Sequence, residues 1–164
     1  MLRKSLIAVC VLFSVGCSSK SGLGIFSSDS LYEKGLEYTH VGDIVNSFET
    51  KAILNATYLN STDSDKYNDQ FQNFLVGIYI TEDNEEIENK FLNNKKYLLT
   101  LNGSDFNKSR DLNVSDDLWD HIPLKNPHAK YYVISFKKKE NLTPLLLEYS
   151  HQSLGKVTLS FQAE

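Results

Sequence analysis

Apolar and polar residues alternate along the segment TKAILNATYLN, which covers positions 50–60 of this chain. Such alternation places the apolar side chains on one face of an extended strand, whereas a helix needs spacings of three and four residues. Six further segments are short and rich in β-branched and aromatic residues: 36–45, 74–80, 96–103, 130–137, 144–150 and 155–162. The chain therefore predicts a domain of about seven short strands.

Helical signals are few and brief. The segment 85–92 is rich in Glu, Asn and Lys, and the segment 116–122 has Ser115 as its N-cap and Pro123 at its end. Neither segment alternates with strands in the way that a βαβ unit requires. The sequence predicts an all-β, antiparallel fold with one or two short helical turns.

The connections 61–73 and 103–130 are too long for a simple meander, so strands are expected to cross between two packed sheets. The stretch AKYYVISF, which contains Ala129, Tyr131 and Val133, resembles the strand of immunoglobulin-like domains that carries a corner tyrosine. This resemblance implies an antiparallel immunoglobulin-like β-sandwich. A lipocalin-like barrel and an open α+β sheet are the alternative folds.

The amino terminus has a different composition from the strands. Arg3 and Lys4 precede an almost wholly apolar run at 6–15, and small Gly16 separates this run from Cys17. A helix of ten residues rises only about 15 Å, which is well short of a membrane span. The proportions are those of a secretory signal peptide.

The end of this run, Ser14-Val15-Gly16-Cys17, resembles the lipobox of bacterial lipoproteins. The resemblance implies cleavage before Cys17 and acylation of that cysteine, which becomes a membrane anchor without any cofactor. It divides the chain into a signal peptide (1–16), an acylated Cys and flexible tether (17–30) and a β-sandwich domain (31–164). Ser18 after the cysteine resembles a signal for the outer membrane, so we expect the domain to face the periplasm.

Charge argues against nucleic acid as a partner. The chain carries a net charge of −4, and without residues 1–16 it has 15 basic and 21 acidic side chains, a net charge of −6. The basic run 137–139 is interpreted as the solvated end of a strand. Cys10 and Cys17 are the only cysteines, so removal of the leader leaves no internal disulfide.

Catalytic and metal-binding patterns are missing from the sequence. The four histidines do not stand at metal-ligand spacings, and the chain has no nucleophile elbow or phosphate-binding loop. We therefore expect no catalytic residue and no metal, and predict a non-catalytic binding or assembly module with an envelope protein or glycan as its partner. The alternative is an envelope hydrolase with a dispersed active site, for which His121 or His128 would lie beside a carboxylate and a hydroxyl.

A polar stretch, DFNKSRDLNVS, repeats the pattern of an acid, any residue, Asn, any residue and Ser. This pattern resembles the extended sequon of bacterial N-glycosylation, in which an acidic residue precedes the asparagine by two positions. The resemblance implies Asn107 and Asn113 as candidate acceptors in an exposed loop.

Overall fold

The structure is a computed structural model that describes residues 30–67, 70–81, 91–139 and 142–162. The described residues form three short α-helices, α1 (Ser30–Glu37), α2 (Leu59–Thr62) and α3 (Ser64–Tyr67), and one turn of 3-10 helix at Phe91–Asn93. They also form nine strands: β1 (Thr39–Asn46), β2 (Glu49–Tyr58), β3 (Phe71–Ile80), β4 (Tyr97–Leu101), β5 (Ser104–Asp105), β6 (Lys108–Asp111), β7 (Lys130–Lys137), β8 (Leu145–His151) and β9 (Gly155–Phe161).

The strands form two sheets, and every pairing between strands is antiparallel. The larger sheet has the order β1-β2-β3-β7-β6, and the smaller sheet has the order β5-β4-β8-β9. Neither sheet closes on itself, so the barrel alternative is wrong. The prediction of an all-β, antiparallel fold is confirmed. The count of about seven strands was too low, because β5 and β6 are short and polar and carry no apolar alternation.

The main core lies between the two sheets. The larger sheet contributes alternate residues of its strands, including Leu54, Phe74, Ile78 and Ile134, and the smaller sheet meets them with Leu147 and others. These side chains are fully buried, and each contributes roughly 1.5–3 kcal/mol to the free energy of unfolding relative to an exposed position. The period-two pattern of the sequence thus marks the faces that meet.

A second apolar cluster covers the outer face of the larger sheet. Leu75 and Tyr131 point to this face and are covered by Leu112, Leu118 and Ile122, which belong to the loop after β6. Trp119 also packs there, edge-on to the Tyr131 ring at 6.0 Å between centroids. The long 103–130 connection therefore supplies two edge strands and a cover for the sheet.

The predicted helix at 116–122 is wrong. The segment forms consecutive turns, in which the N–H of Trp119 bonds the carbonyl of Asp116 at 2.9 Å and the N–H of His121 bonds that of Leu118 at 3.2 Å. The Asp116 carboxylate accepts the N–H of Asn113 at 2.8 Å and also binds Arg110. These hydrogen bonds lower the pKa of Asp116, and they hold the turn where its apolar side chains cover the sheet.

The first strand also differs from its prediction. It begins at Thr39 because α1 precedes it, and the irregularity in its pairing lies between Ile44 and Val45. Gly42, where a strand glycine suggests a bulge, serves close packing and not a bulge, since a Cβ there would lie 2.6 Å from a methyl group of Val157. Most of the predicted helical segment 85–92 lies outside the described residues. No helix in the described ranges is long and apolar enough to cross a membrane.

Candidate functional site

The hairpin between β1 and β2 has an unusual turn. Its two central residues, Ser47 and Phe48, have φ angles of 53° and 65°, so both adopt the left-handed conformation. This is the geometry of a type I′ turn, which matches the twist of the flanking strands and favours Asn followed by Gly. A phenylalanine at the second position carries a steric cost of about 1–2 kcal/mol that glycine would avoid.

Phe48 is fully exposed, with a relative accessibility of 104 %. Every other phenylalanine whose environment the structure describes is buried or half-buried. Val45, which precedes the turn, is 55 % exposed and enlarges the apolar surface. We call Val45, Ser47 and Phe48 together the hairpin tip.

The base of the hairpin tip is held in place by polar contacts. The Asn46 side-chain amide donates to the carbonyl of Leu154 in the β8–β9 turn at 3.3 Å, and the Ser47 hydroxyl donates to Asn46 Oδ1 at 3.0 Å. Lys51 binds the Glu49 carboxylate at 2.8 Å and lowers the pKa of Glu49. These contacts hold the hairpin in one conformation, so binding at the tip would lose less conformational entropy.

The hairpin tip lies far from the point where the chain enters the sheets. The N–H of Tyr58 bonds the carbonyl of Tyr38 at 3.0 Å, next to the start of β1. Strand β1 has eight residues, so the tip is displaced by about 25 Å along the strand from this entry. The entry and the tip occupy opposite ends of the domain.

The predicted modification sites have separate positions. Cys17 lies outside the described residues. Asn107 is exposed, but its side-chain oxygen accepts the N–H of Lys137 at 2.7 Å and thereby joins two strand ends. Asn113 lies in the exposed turn after β6 and has its N–H bonded to Asp116. Glycosylation of Asn107 or Asn113 stays a prediction, and the free surface around Asn113 suits it better.

The histidines of the enzyme alternative lie in turns over the larger sheet. His128 donates its backbone N–H to Asn126 Oδ1 at 2.9 Å, and its ring centroid lies 6.1 Å from that of Tyr79. His121 donates its backbone N–H to Leu118. Within the described ranges, no group of three or more His, Cys, Asp and Glu side chains is placed to hold a metal ion. The enzyme alternative gains no supporting observation from these positions.

One buried polar group lacks a partner in the described part of the chain. The Tyr149 hydroxyl makes no hydrogen bond there, and its ring stacks on Tyr97 at 5.3 Å between centroids. Burial raises the pKa of Tyr149 far above its usual value, so this phenol stays neutral. It lies in the core between the sheets.

The sequence analysis missed the hairpin tip, although a signal was present. The residues NSFE lie between two alternating segments, where a two-residue hairpin turn calls for Asn-Gly. A phenylalanine at the glycine position of such a turn points outward, since the turn itself has no core side. This combination identifies a candidate contact residue without any structural information.

Comparison of the chain with protein-family models, curated proteins and solved structures finds no match. The candidate site therefore stands on its geometry alone.

Proposed function

We propose that this chain is a lipid-anchored lipoprotein of the cell envelope that binds a second envelope protein through Phe48, without catalysis. The observation that carries this proposal is the fully exposed Phe48 side chain in a left-handed turn. Strained and exposed residues of this kind persist where they serve a contact, because folding alone would select against them.

The energetics favour a protein partner. Complete burial of one phenylalanine contributes roughly 1.5–3 kcal/mol, and aromatic side chains are frequent hot spots at the centre of interfaces. Val45, three positions before Phe48, is also exposed and adds apolar surface to the hairpin tip, which suits an apolar protein surface. The hairpin tip would therefore insert Phe48 into an apolar pocket of a partner protein.

The anchor is supported by the sequence of the leader. Acylation of Cys17 would attach the chain to the periplasmic face of the outer membrane and would leave the domain on a short tether. The chain enters the domain at the end opposite to the hairpin tip. The tip then points away from the membrane, toward other proteins of the periplasm.

For the fold we propose an immunoglobulin-like sandwich in architecture. The Tyr131 hydroxyl accepts the backbone N–H of Asn126, five residues upstream, at 2.7 Å, which is the contact of a tyrosine corner. The strand order departs from that of immunoglobulin constant domains, because β1, β2 and β3 lie side by side in one sheet. We therefore propose the sheet packing of an immunoglobulin-like sandwich, but not the strand order of immunoglobulin domains.

Photocrosslinking tests the partner proposal directly. A benzoylphenylalanine in place of Phe48 keeps an aromatic ring at the tip, and irradiation of whole cells should yield one discrete adduct with another protein. The matched control carries the same photoprobe at Leu124, which is also exposed and also has a positive φ of 49° but lies in the loop over the larger sheet. We expect no adduct from the control.

A second variant tests the contribution of Phe48 itself. With the photoprobe at Val45, the adduct should form in the wild-type background and disappear in Phe48→Ser. No adduct from position 48, equal adducts from positions 48 and 124, or adducts with phospholipid would overturn the proposal.

A further inference from the structure

Four lysines gather at the β6–β7 edge of the larger sheet. Lys108 lies on β6, with its ammonium 4.5 Å from the centroid of the Phe71 ring, and Lys137 pairs with Phe71 across β3 and β7. Lys138 and Lys139 follow directly, and the Lys139 ammonium donates to the Ser104 hydroxyl. All four lysines are exposed. We call them the basic cluster.

The basic cluster is not neutralised within the described part of the chain. Four other cations there are paired with carboxylates: Lys51 with Glu49, Arg110 with Asp116, Lys130 with Asp111 and Lys156 with Glu148. No carboxylate of the described residues forms an ion pair with any of the four lysines, and Asp105, close to Lys108 in sequence, is no exception. Four positive charges thus lie close together at one edge of a protein that is acidic as a whole.

The basic cluster lies at the end of the domain where the chain enters. Along β3, Phe71 stands opposite Lys137, and Phe74 stands opposite Tyr58, whose N–H bonds Tyr38 at the entry. At the other end of β3, Ile80 pairs with β2 close to the hairpin tip. The ten residues of β3 therefore separate the basic cluster from the tip by about 30 Å.

The sequence between Cys17 and Ser30, where α1 begins, is short. Twelve residues separate Cys17 from Ser30, and they are rich in Ser and Gly. Twelve residues span at most about 40 Å even when fully extended, so this length keeps Ser30 within that reach of the anchor. A domain attached to a bilayer in this way presents its entry end to the headgroups at high local concentration.

We propose that the basic cluster binds the anionic phospholipid headgroups of the membrane to which the chain is anchored. The inference rests on the proposed function, since it takes acylation of Cys17 as the anchor. Phosphate groups complement lysines in charge, and each lysine close to an anionic surface strengthens binding by about fivefold. This contact orients the domain so that its entry end faces the membrane and the hairpin tip points away from the membrane. From the sequence, residues 137–139 are interpreted as a solvated strand end, because nothing in the sequence places Lys108 beside them.

Amine footprinting on the full chain tests this proposal. The protein is purified from membranes and reconstituted into vesicles of phosphatidylcholine, with or without about 30 % phosphatidylglycerol, and the rate of acetylation of each lysine is measured by mass spectrometry. In the anionic vesicles, we expect acetylation of the basic cluster to slow by about threefold or more, and about 0.5 M NaCl to reverse the effect. Lys95 and Lys96, at the opposite end of the domain, should react at the same rate in both vesicles.

Two charge-matched variants separate location from net charge. Lys137→Glu with Lys138→Glu should restore the acetylation of Lys108 and Lys139 in anionic vesicles, whereas Lys95→Glu with Lys96→Glu should leave their protection unchanged. Equal rates in both vesicles, or equal effects of the two variants, would overturn the inference. Acylation of Cys17 and crosslinking at Phe48 are read separately, so a failure of the proposed function is distinguishable from a failure of headgroup binding.

Discussion

Tyr131 and Tyr149 bury similar rings but differ in what their hydroxyl groups contact. The Tyr131 hydroxyl accepts a backbone N–H at 2.7 Å, whereas the Tyr149 hydroxyl has no partner among the residues that the structure describes. A buried hydrogen bond contributes about 1 kcal/mol, while a buried polar group without one costs a desolvation penalty of about 1–3 kcal/mol. Two residues of the same type therefore have opposite effects at their hydroxyl groups.

We expect Tyr149→Phe to leave the free energy of unfolding unchanged or to raise it by about 1 kcal/mol. Tyr131→Phe should lower it by about 1–2 kcal/mol, because the N–H of Asn126 loses its acceptor. Urea unfolding of the two variants and the wild type measures both changes. A larger loss for Tyr149→Phe than for Tyr131→Phe would mean that the Tyr149 hydroxyl is satisfied after all.

At the scale of elements, strands β1 and β9 bring the two sheets together at one side. They approach closely because Gly42 on β1 has no side chain. A Cβ at Gly42 would lie 2.6 Å from Val157 Cγ2 and 3.1 Å from Leu159 Cδ2. Valine is stiff at χ1, so its methyl group cannot turn away freely. The glycine allows the two edge strands to approach each other closely.

Gly42→Ala should therefore lower the free energy of unfolding by about 1–3 kcal/mol. Val157→Ala removes the methyl groups that clash, so the double variant should be more stable than the sum of the two single changes predicts, by about 1 kcal/mol or more. Chemical denaturation of the four proteins gives the interaction energy. Strictly additive changes would show that Val157 does not restrict position 42.

The elements that the sequence predicts well are those with apolar alternation, such as β2 and β7. Strands β5 and β6 were missed, because polar residues at a sheet edge follow no period. The turns at 116–122 were mistaken for a helix, because an N-cap signal also suits a turn closed by Asp116. The sequence shows the basic run 137–139, but it does not show that Lys108 lies beside this run, since that depends on the pairing of β6 with β7 across a long loop.

For the whole molecule, the central expectation is the anchor. Wild-type protein from the native host should incorporate labelled palmitate, and its intact mass should equal residues 17–164 plus a diacylglyceryl group and an N-linked acyl chain. Cys17→Ser should incorporate no label and should retain its leader. Wild-type protein that carries no acyl chain would contradict this prediction. That result would leave the description of the two packed sheets unchanged, because the fold does not depend on the anchor.

The backbone conformation at position 48 favours glycine, whereas the chain has phenylalanine there. A designer given this hairpin alone would write Asn-Gly at positions 47 and 48, because that pair suits two consecutive left-handed residues best. Phe48→Gly would thus favour folding while it deletes the aromatic side chain on which the proposed contact depends. If the proposed function holds, such an allele would keep the protein folded and anchored but would abolish the contact, so it would distinguish loss of contact from loss of protein.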